Sequence, residues 1–323
     1  MLWKSVKRDL RSFRHFAHVA RAALFAAVFA ASHALAQSSD GGAAPDLFFV
    51  NPGTLLAPPN LNVNAVSQTA SQVLDTTKTN LVLVVAGQSN MADMAPSVFT
   101  PTNASSIFEL SIFDGKIYPA VDPLIGPNQV LVGTTPEIGN PALRMADSII
   151  SNGYFQRVYL VPFAVSGTQI SDWFSGNEVP LIPIAVRRIK QKGITCGGTN
   201  VTCVLIWGQG ESDNTFGTSQ ATYTTDLNGV ISASVSAGFI GHWYVAKQTY
   251  NGATSAAIQA AQAAVVNGTT VFAGPNADSL VGSVCGVGAN AACRNATDNV
   301  HWTDNGSFSY AALWVTALHT GGF

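Results

Sequence analysis

The sequence predicts an α/β fold in which a parallel β-sheet carries helices on both of its faces. Short apolar runs with strand-like composition alternate along the chain with segments whose apolar residues recur at helical spacing. The first run, Leu81 to Ala86, is continuously apolar, which is typical of a strand buried on both faces of a sheet. We therefore expect functional residues just after the carboxyl ends of the strands.

The alternation continues from this first strand to the carboxyl terminus. No repeat or linker interrupts it, so residues 80–323 are predicted to form one domain. After the first strand, the predicted elements are a strand at 107–113, a helix at 140–150, a strand at 158–165, a helix at 181–190, a strand at 202–207, a helix at 219–237, a strand at 241–247, a helix at 253–266, a strand at 269–273 and a helix at 307–318.

The first 36 residues, 1–36, are typical of a secretory signal peptide. An apolar run at 22–31 precedes the small-x-small cleavage signal Ala34-Leu35-Ala36. The run is shorter than the roughly 20 residues that span a bilayer, which disfavours a transmembrane anchor. We predict cleavage between Ala36 and Gln37, secretion to the periplasm or the extracellular space, and no stable membrane insertion. The basic region before the run contains Lys4, Lys7, Arg8, Arg11, Arg14 and Arg21.

Residues 37–79 are rich in Ser, Ala, Asn, Pro and Thr without a sustained period, which predicts an extended or loosely ordered leader. Without the first 36 residues, 287 of the 323 remain, with ten basic residues against 17 acidic ones. This negative charge argues against nucleic acid or an anionic membrane surface as a partner. The sequence does not specify the oligomeric state.

The four cysteines form two close pairs, Cys196 with Cys203 and Cys285 with Cys293. In an exported chain, such pairs predict two local disulfides, and each pair brackets a loop rich in Gly or Asn. Three connectivities are possible, and we favour the local one. A zinc site is the alternative, but neither pair has the usual ligand spacing and no histidine lies within a few residues of either pair.

Ser89 is the candidate nucleophile. The first predicted strand stops at Gly87, and Gln88-Ser89-Asn90-Met91 follows. A serine on a tight turn after a buried strand is held rigidly, with its hydroxyl and backbone N–H at the crevice beyond the strand. The alternative is that Ser89 only caps the next helix.

A serine nucleophile needs a general base, and the histidines beyond the leader are His242, His301 and His319. We expect His319 to be solvated in the terminal tail, and His242 to pack or cap at the amino end of its strand. Asp298 can turn back within one loop to orient the imidazole of His301. His301 is thus the predicted base and Asp298 its acid, although a D-x-x-H pair alone is a weak signal.

The chain order Ser…Asp…His also occurs in α/β-hydrolases. Their nucleophile elbow, G-x-S-x-G, needs a small residue two positions after the serine, where this chain has Met91. Their acid and base normally come from separate loops, whereas Asp298 and His301 are three residues apart. Both observations disfavour that class.

Four polar segments follow one another along the chain: GQSNM at 87–91, SGTQISDW at 166–173, WGQGESD at 207–213 and DNVHWT at 298–303. In this order they resemble the sequence blocks of SGNH hydrolases, especially the sialate O-acetylesterase-like branch that includes acetylxylan esterases. The resemblance runs from about Leu81 to Leu318. It implies a three-layer αβα sandwich with a flavodoxin-like parallel sheet, in agreement with the alternation of strands and helices.

The resemblance implies roles for individual residues. Ser89 is similar to the nucleophile of the family, His301 to its base and Asp298 to the acid that orients the base. The oxyanion hole would consist of the backbone N–H groups of Ser89 and Gly167 and the side-chain amide of Gln209. For Gln209, the alternative is an amide that braces its turn.

Other residues near these segments are expected to support the site. Glu211 braces its loop or serves as an alternative partner of His301, while Asn90 and Asp213 hydrogen-bond within their turns. Trp173 and Trp302 lie on loops that should surround the pocket, whereas Trp207 ends a strand and should lie in the core. Possible substrate contacts are therefore Gln88, Trp173 and Trp302.

Ser166 lies in the second of these segments and Arg144 on a predicted helix, and the sequence predicts a feature of each. Ser166 stands where relatives commonly have glycine, which leaves the approach of the substrate at this loop open. Arg144 is expected to be a surface or loop-bracing cation on its helix.

These observations together predict a secreted serine esterase that hydrolyses O-acetyl esters on carbohydrate, either an acetylated polysaccharide or a sialic acid-type sugar. It would form an acetyl-enzyme and need no metal and no other cofactor. One alternative keeps the machinery and changes the substrate to a short-chain lipid, aryl ester or thioester. The other is a non-catalytic carbohydrate-binding protein on the same scaffold.

Overall fold

The computed structural model describes residues 74–127, 131–132, 135–136, 138–286 and 291–323. The predicted signal peptide and residues 37–73 of the predicted leader lie outside these ranges. The end of that leader is attached to the fold, because Leu74 packs against the core and Asp75 forms an ion pair of 3.1 Å with Arg157.

A seven-stranded sheet forms the centre of the fold. The strands are β1 Asn80–Gly87, β2 Ile107–Leu110, β3 Ile117–Pro119, β4 Leu131–Val132, β5 Thr135–Pro136, β6 Arg157–Pro162, β7 Val201–Gly208, β8 His242–Lys247 and β9 Val271–Asn276. Their order across the sheet is β3-β2-β6-β1-β7-β8-β9, and β4 pairs with β5 in a separate hairpin. Every neighbouring pair of the large sheet is parallel except β2 with β3. The five neighbouring strands β6-β1-β7-β8-β9 follow the predicted flavodoxin-like order.

Helices cover both faces of this sheet, which confirms the predicted three-layer αβα sandwich. They are α1 Pro141–Ser151, α2 Ile170–Ser175, α3 Leu181–Gln191, α4 Glu211–Phe216, α5 Gln220–Ser236, α6 Ala256–Ala264 and α7 Asp304–Gly321. Residues of α1 and α7 belong to the core on one face, and residues of α3, α5 and α6 to the core on the other. No helix in the described part of the chain is both long and apolar enough to cross a bilayer.

Strand β1 contributes to both cores, as its continuous apolar run predicted. All six side chains from Leu81 to Ala86 are fully buried. Leu81, Leu83 and Val85 face α1 and α7, whereas Val82, Val84 and Ala86 face the opposite helices. A strand buried on both faces therefore shows no alternation of apolar and polar residues in its sequence, and its length and composition identify it instead.

Local capping explains where predicted and observed boundaries differ. Helix α7 begins at Asp304, three residues before the predicted start, because the Thr303 side chain accepts a hydrogen bond from the Gly306 N–H. Helix α6 starts only after Ser255, which caps it in the same way. The six-residue helices α2 and α4 and the three-residue strand β3 were not predicted, because elements of that length show no period.

The carboxyl ends of three central strands lie side by side at the edge of the sheet where such folds bind ligands. Strand β1 lies between β6 and β7, so the chain crosses from one side of β1 to the other between these strands. This crossing is a topological switch point. Ser89 follows β1, Gly167 follows β6 and Gln209 follows β7.

Candidate active site

The turn that carries Ser89 is built on backbone contacts between two neighbouring strands. Gly87 has φ +139°, and a Cβ at this position would lie 2.1 Å from the carbonyl oxygen of Gly208. The Gln88 N–H donates to the same oxygen over 3.0 Å. Ser89 then begins a single 3-10 turn, Ser89–Met91, rather than capping an α-helix, and it is 3% exposed. The strand end therefore fixes the serine backbone.

Gly167 lies on the loop after β6, and this loop is attached to the serine turn. The Val165 N–H donates to the Gly87 carbonyl over 2.9 Å. Gly167 has φ +76°, and no atom lies within 4 Å of the position of a Cβ. Ser166 is not among the positive-φ residues, so the glycine found in relatives at that position is not needed for the backbone here. In the described ranges, the backbone N–H groups of Ser89 and Gly167 donate to no protein acceptor.

The Gln209 side chain is fully buried and bonded to protein groups. Its Nε2 donates to Asp213 Oδ2 over 2.5 Å and to the Thr168 carbonyl over 2.9 Å. Its Oε1 accepts a hydrogen bond of 2.8 Å from the Tyr223 hydroxyl. The amide therefore braces the loops after β6 and β7, and its role in the oxyanion hole stays a prediction.

Asp298 and His301 form a compact acid and imidazole pair on the loop before α7. His301 Nδ1 lies 2.7 Å from Asp298 Oδ2, and Oδ1 of the same carboxylate accepts from the N–H groups of Val300 and His301 over 2.8 and 3.0 Å. Burial favours the neutral acid, but these hydrogen bonds outweigh it and lower the pKa of Asp298 to about 2. Asn299 adopts φ +56°, which lets the chain fold back so tightly.

Asn90 joins the serine turn to the histidine loop. Its carbonyl accepts a hydrogen bond of 3.1 Å from Trp302 Nε1, and its Nδ2 donates to the Val300 carbonyl over 3.4 Å. The residues on both sides of His301 thus contact the residue after Ser89. In the described structure, no hydrogen bond links the Ser89 hydroxyl with the imidazole itself, and the two loops meet through these neighbours.

Arg294 and the second disulfide brace the histidine loop from outside. Arg294 Nη1 donates to the Val300 carbonyl over 2.6 Å, and its guanidinium lies 3.5 Å from the centre of the Trp302 ring. The Thr303 N–H donates to the carbonyl of Cys293, which is bonded to Cys285. The sequence analysis did not identify Arg294, since its role depends on contacts that no motif records.

Both predicted local disulfides are present. Cys196 and Cys203 are joined near the amino end of β7, and Cys285 is joined to Cys293 beside the histidine loop. The alternative of a zinc site at these cysteines is therefore wrong. Among the described residues, no group of three or more His, Cys, Asp and Glu side chains is arranged to hold a metal ion.

The three residues predicted as possible substrate contacts are buried in this structure, and their contact with substrate stays a prediction. Trp302 is 0% exposed because its indole packs against Tyr310 and bonds to the serine turn. Trp173 is 3% exposed, and its Nε1 donates to Thr168 Oγ1 over 2.9 Å. Gln88 Oε1 accepts from backbone N–H groups of the loop after β7 and therefore braces that loop. Trp207 lies in the core, as predicted.

Glu211 lies beneath the serine turn, and its contacts define its place. Its Oε1 accepts from Asn90 Nδ2 over 2.7 Å and from Gln248 Nε2 over 2.9 Å. Among the described residues, the Asn90 side chain bonds to Glu211 and Val300 and not within its own turn, so that expectation is wrong. Asp213 bonds within its turn to Thr218 and also accepts from the Ile170 N–H.

Arg144 and the other two histidines lie outside this cluster. Arg144 is 3% exposed, so a surface position is wrong, but it does brace loops through ion pairs with Asp122 and Asp304. His242 opens β8 and packs against the ring of Phe272, as expected. His319 lies in the last turn of α7, where it is exposed and stacks on the ring of Tyr154. His301 is therefore the histidine that accompanies Ser89.

Tyr250 is an aromatic residue beside this loop that the sequence analysis did not single out. It follows β8, is partly exposed, and its hydroxyl accepts a hydrogen bond of 3.2 Å from Asn299 Nδ2. The signal was available, since Tyr250 lies three residues after the carboxyl end of β8.

Comparison with known proteins identifies relatives of this chain. The profile of a family described as carbohydrate esterase, sialic acid-specific acetylesterase, matches residues 79–272. A search of curated proteins found no match. A solved structure from Arabidopsis thaliana is 21% identical with a TM-score of 0.54, and the match covers 76% of this chain and 99% of that one.

Two further solved structures are similar at lower scores. NanS is 14% identical with a TM-score of 0.49, over 75% of this chain and 97% of its own. A carbohydrate acetylesterase from Xanthomonas citri is 14% identical with a TM-score of 0.38, over 74% of this chain and 55% of its own. The family profile covers more than half of the sequence. The chain belongs to this family of carbohydrate acetylesterases and is a carboxylic ester hydrolase.

Proposed function

We propose that the protein is a secreted serine esterase that removes O-acetyl groups from carbohydrate through a triad of Ser89, His301 and Asp298. The observation that carries the proposal is the 2.7 Å contact between His301 Nδ1 and Asp298 Oδ2 on a loop joined to the Ser89 turn. A carboxylate on Nδ1 leaves Nε2 as the free basic nitrogen of the imidazole. The family membership supports the acetyl group and the sugar.

In this mechanism, the Ser89 hydroxyl attacks the carbonyl carbon of the acetyl ester while its proton passes to His301 Nε2. The carbonyl oxygen becomes an oxyanion, which accepts hydrogen bonds from the N–H groups of Ser89 and Gly167. His301 then gives its proton to the departing sugar oxygen, which leaves an acetyl-enzyme. Water attacks this ester, with His301 as base, and acetate and free Ser89 are released.

The charge state of Asp298 suits this role. Its pKa of about 2 keeps the carboxylate ionised throughout the neutral and mildly acidic range. It therefore holds the imidazole in one tautomer and stabilises the imidazolium that forms when Ser89 loses its proton. The two disulfides support an oxidising compartment and, with the sequence of residues 1–36, secretion.

Acetate release from acetylated xylan, O-acetylated sialic acid and nitrophenyl acetate tests this function, with longer-chain nitrophenyl esters as a comparison. We expect acetate from at least one acetylated carbohydrate, a preference for acetyl over longer chains, and no release above background by Ser89→Ala. Wild-type rates in Ser89→Ala would overturn the mechanism. A preference for longer acyl chains without activity on any sugar would overturn the substrate class.

A further inference from the structure

Beneath the serine turn lies a buried carboxyl group for which the proposed mechanism has no use. Glu211 is the first residue of α4 and is 2% exposed. Its Oε1 receives two amide N–H groups, from Asn90 over 2.7 Å and from Gln248 over 2.9 Å. Its Oε2 is buried and has no hydrogen-bond partner among the described residues. A buried carboxyl with only one oxygen bonded is costly, so its contacts require an explanation.

The contact with the Asn90 amide offers an explanation for the buried carboxyl. The amide nitrogen of Asn90 carries two N–H groups, so it can donate to Glu211 and to a second acceptor at the same time. Nδ2 lies between Glu211 Oε1 at 2.7 Å and the Val300 carbonyl at 3.4 Å. The shorter bond fixes the amide, and the amide in turn reaches the loop that carries His301. The backbone carbonyl of Asn90 receives the Trp302 indole N–H on the other side of that histidine.

We propose that Glu211 is a positioning residue for the esterase reaction: by fixing the Asn90 amide, it holds the Ser89 turn and the His301 loop in one relative placement. This inference rests on the proposed triad. The proposed catalytic groups come from different parts of the chain, and Asn90 hydrogen-bonds to the residues on both sides of His301. Glu211 fixes Asn90 from a third element, α4.

Burial favours the neutral form of the Glu211 carboxyl, whereas the hydrogen bonds and the charge of its neighbours favour the ionised form. Burial raises the pKa of Glu211 to about 7, against the hydrogen bonds from Asn90 and Gln248 and the positive charge of Arg294. Glutamine offers the same carbonyl acceptor without a charge, so Glu211→Gln preserves the bond to Asn90, whereas Glu211→Ala removes it.

The test compares kcat and KM of Glu211→Ala and Glu211→Gln, with each rate divided by the concentration of folded protein. Misplacement of catalytic groups predicts a loss of kcat on the order of 100-fold in Glu211→Ala with little change in KM. Glu211→Gln is expected to remain within about threefold of wild-type kcat, since it retains the acceptor. Equal losses in both variants, or wild-type kcat in Glu211→Ala, would overturn the proposal.

Glu178→Ala is the matched control. Glu178 is 5% exposed, and burial raises its pKa to about 7 as well, but no described contact joins it to the serine turn or the histidine loop. This variant is expected to lose stability and to keep its kcat. If it lost kcat like Glu211→Ala, the effect would be one of general stability and the proposal would fail.

A second variant keeps the proposal testable if Glu211→Ala does not fold. Asn90→Leu removes the amide at similar size, and it is expected to show the same loss of kcat while Glu211 stays in place. Where both single variants fold, the double variant should be no slower than either, because the two residues act through one bond. Additive losses would contradict the proposal.

The rate at which a fluorophosphonate modifies Ser89 separates this inference from the proposed function. Modification depends on the placement of Ser89 and His301 but not on any sugar. Slow modification of Glu211→Ala supports the inference even if the acetylated substrate is wrong. If Ser89→Ala still hydrolyses esters, the triad itself fails; if Ser89→Ala is inactive and Glu211→Ala behaves as wild type, only the role of Glu211 fails.

Discussion

The Ser89 turn and the His301 loop are built in different ways. Ser89 is 3% exposed and follows a strand that is buried on both faces, with the backbones of Gly87 and Gly208 in contact. The side chains of His301 and Asp298 are 17% and 29% exposed, on a loop without strand partners in the central sheet. The backbone of the sheet positions Ser89, the proposed nucleophile. The side chains of Asn90, Trp302 and Arg294 and the disulfide between Cys285 and Cys293 position the loop of His301, the proposed base.

This difference separates stability from activity. Changes in the strand ends around Ser89 affect the core and therefore the free energy of unfolding. Changes at Asp298 and His301 remove few buried contacts, because both side chains are partly exposed, so they should reduce catalysis while the fold remains. Substitutions in the histidine loop therefore test most directly whether activity can be lost without a loss of stability.

Asp298→Asn should have the largest effect. Asparagine occupies the same volume but does not hold the imidazole in the required tautomer or stabilise its charge, so kcat is expected to fall by about 10⁴-fold. The melting temperature should change little, because the side chain is partly exposed.

Asp304→Asn is the control for this change. Asp304 is an acid in the same segment, 39% exposed and paired with Arg144 rather than with an imidazole. We expect its kcat to stay near wild type. Similar kcat values for the two variants would show that Asp298 is not the acid of a triad.

The two disulfides give a smaller and more pointed contrast. The carbonyl of Cys293 accepts a hydrogen bond from the Thr303 N–H. Replacing both Cys285 and Cys293 by serine releases this segment, so we expect the free energy of unfolding to fall by roughly 2–4 kcal/mol and kcat to fall about tenfold. Replacing Cys196 and Cys203 by serine at the other end of β7 should cost similar stability at unchanged kcat. Equal effects of both pairs on kcat, measured well below the melting temperature, would contradict the bracing role.

Much of the fold was predictable because its signals are local. A continuous apolar run, a helical period and a cap each depend on a few neighbouring residues, and they identified the central strands and the long helices. The strand ends then located Ser89, and one short segment contained both Asp298 and His301. The four cysteines paired as their spacing indicated.

The contacts within the site were less predictable because they depend on residues distant in sequence. The sequence did not indicate that Asp213 and Tyr223 bind the Gln209 amide from α4 and α5. Trp302 was expected at the pocket, but it is buried against α7 and the serine turn. A sequence motif gives a residue its chemistry, and only the packed structure determines which groups it faces.

The most direct test of the central claim is to identify the residue that a fluorophosphonate modifies in the active enzyme. Digestion and mass spectrometry of the inactivated protein should locate one adduct per chain, on the peptide that contains Ser89, with loss of esterase activity in proportion to labelling. Asp298→Asn should be labelled much more slowly than wild type. Complete inactivation with the adduct on another residue, or full activity after Ser89 has been modified, would contradict the account.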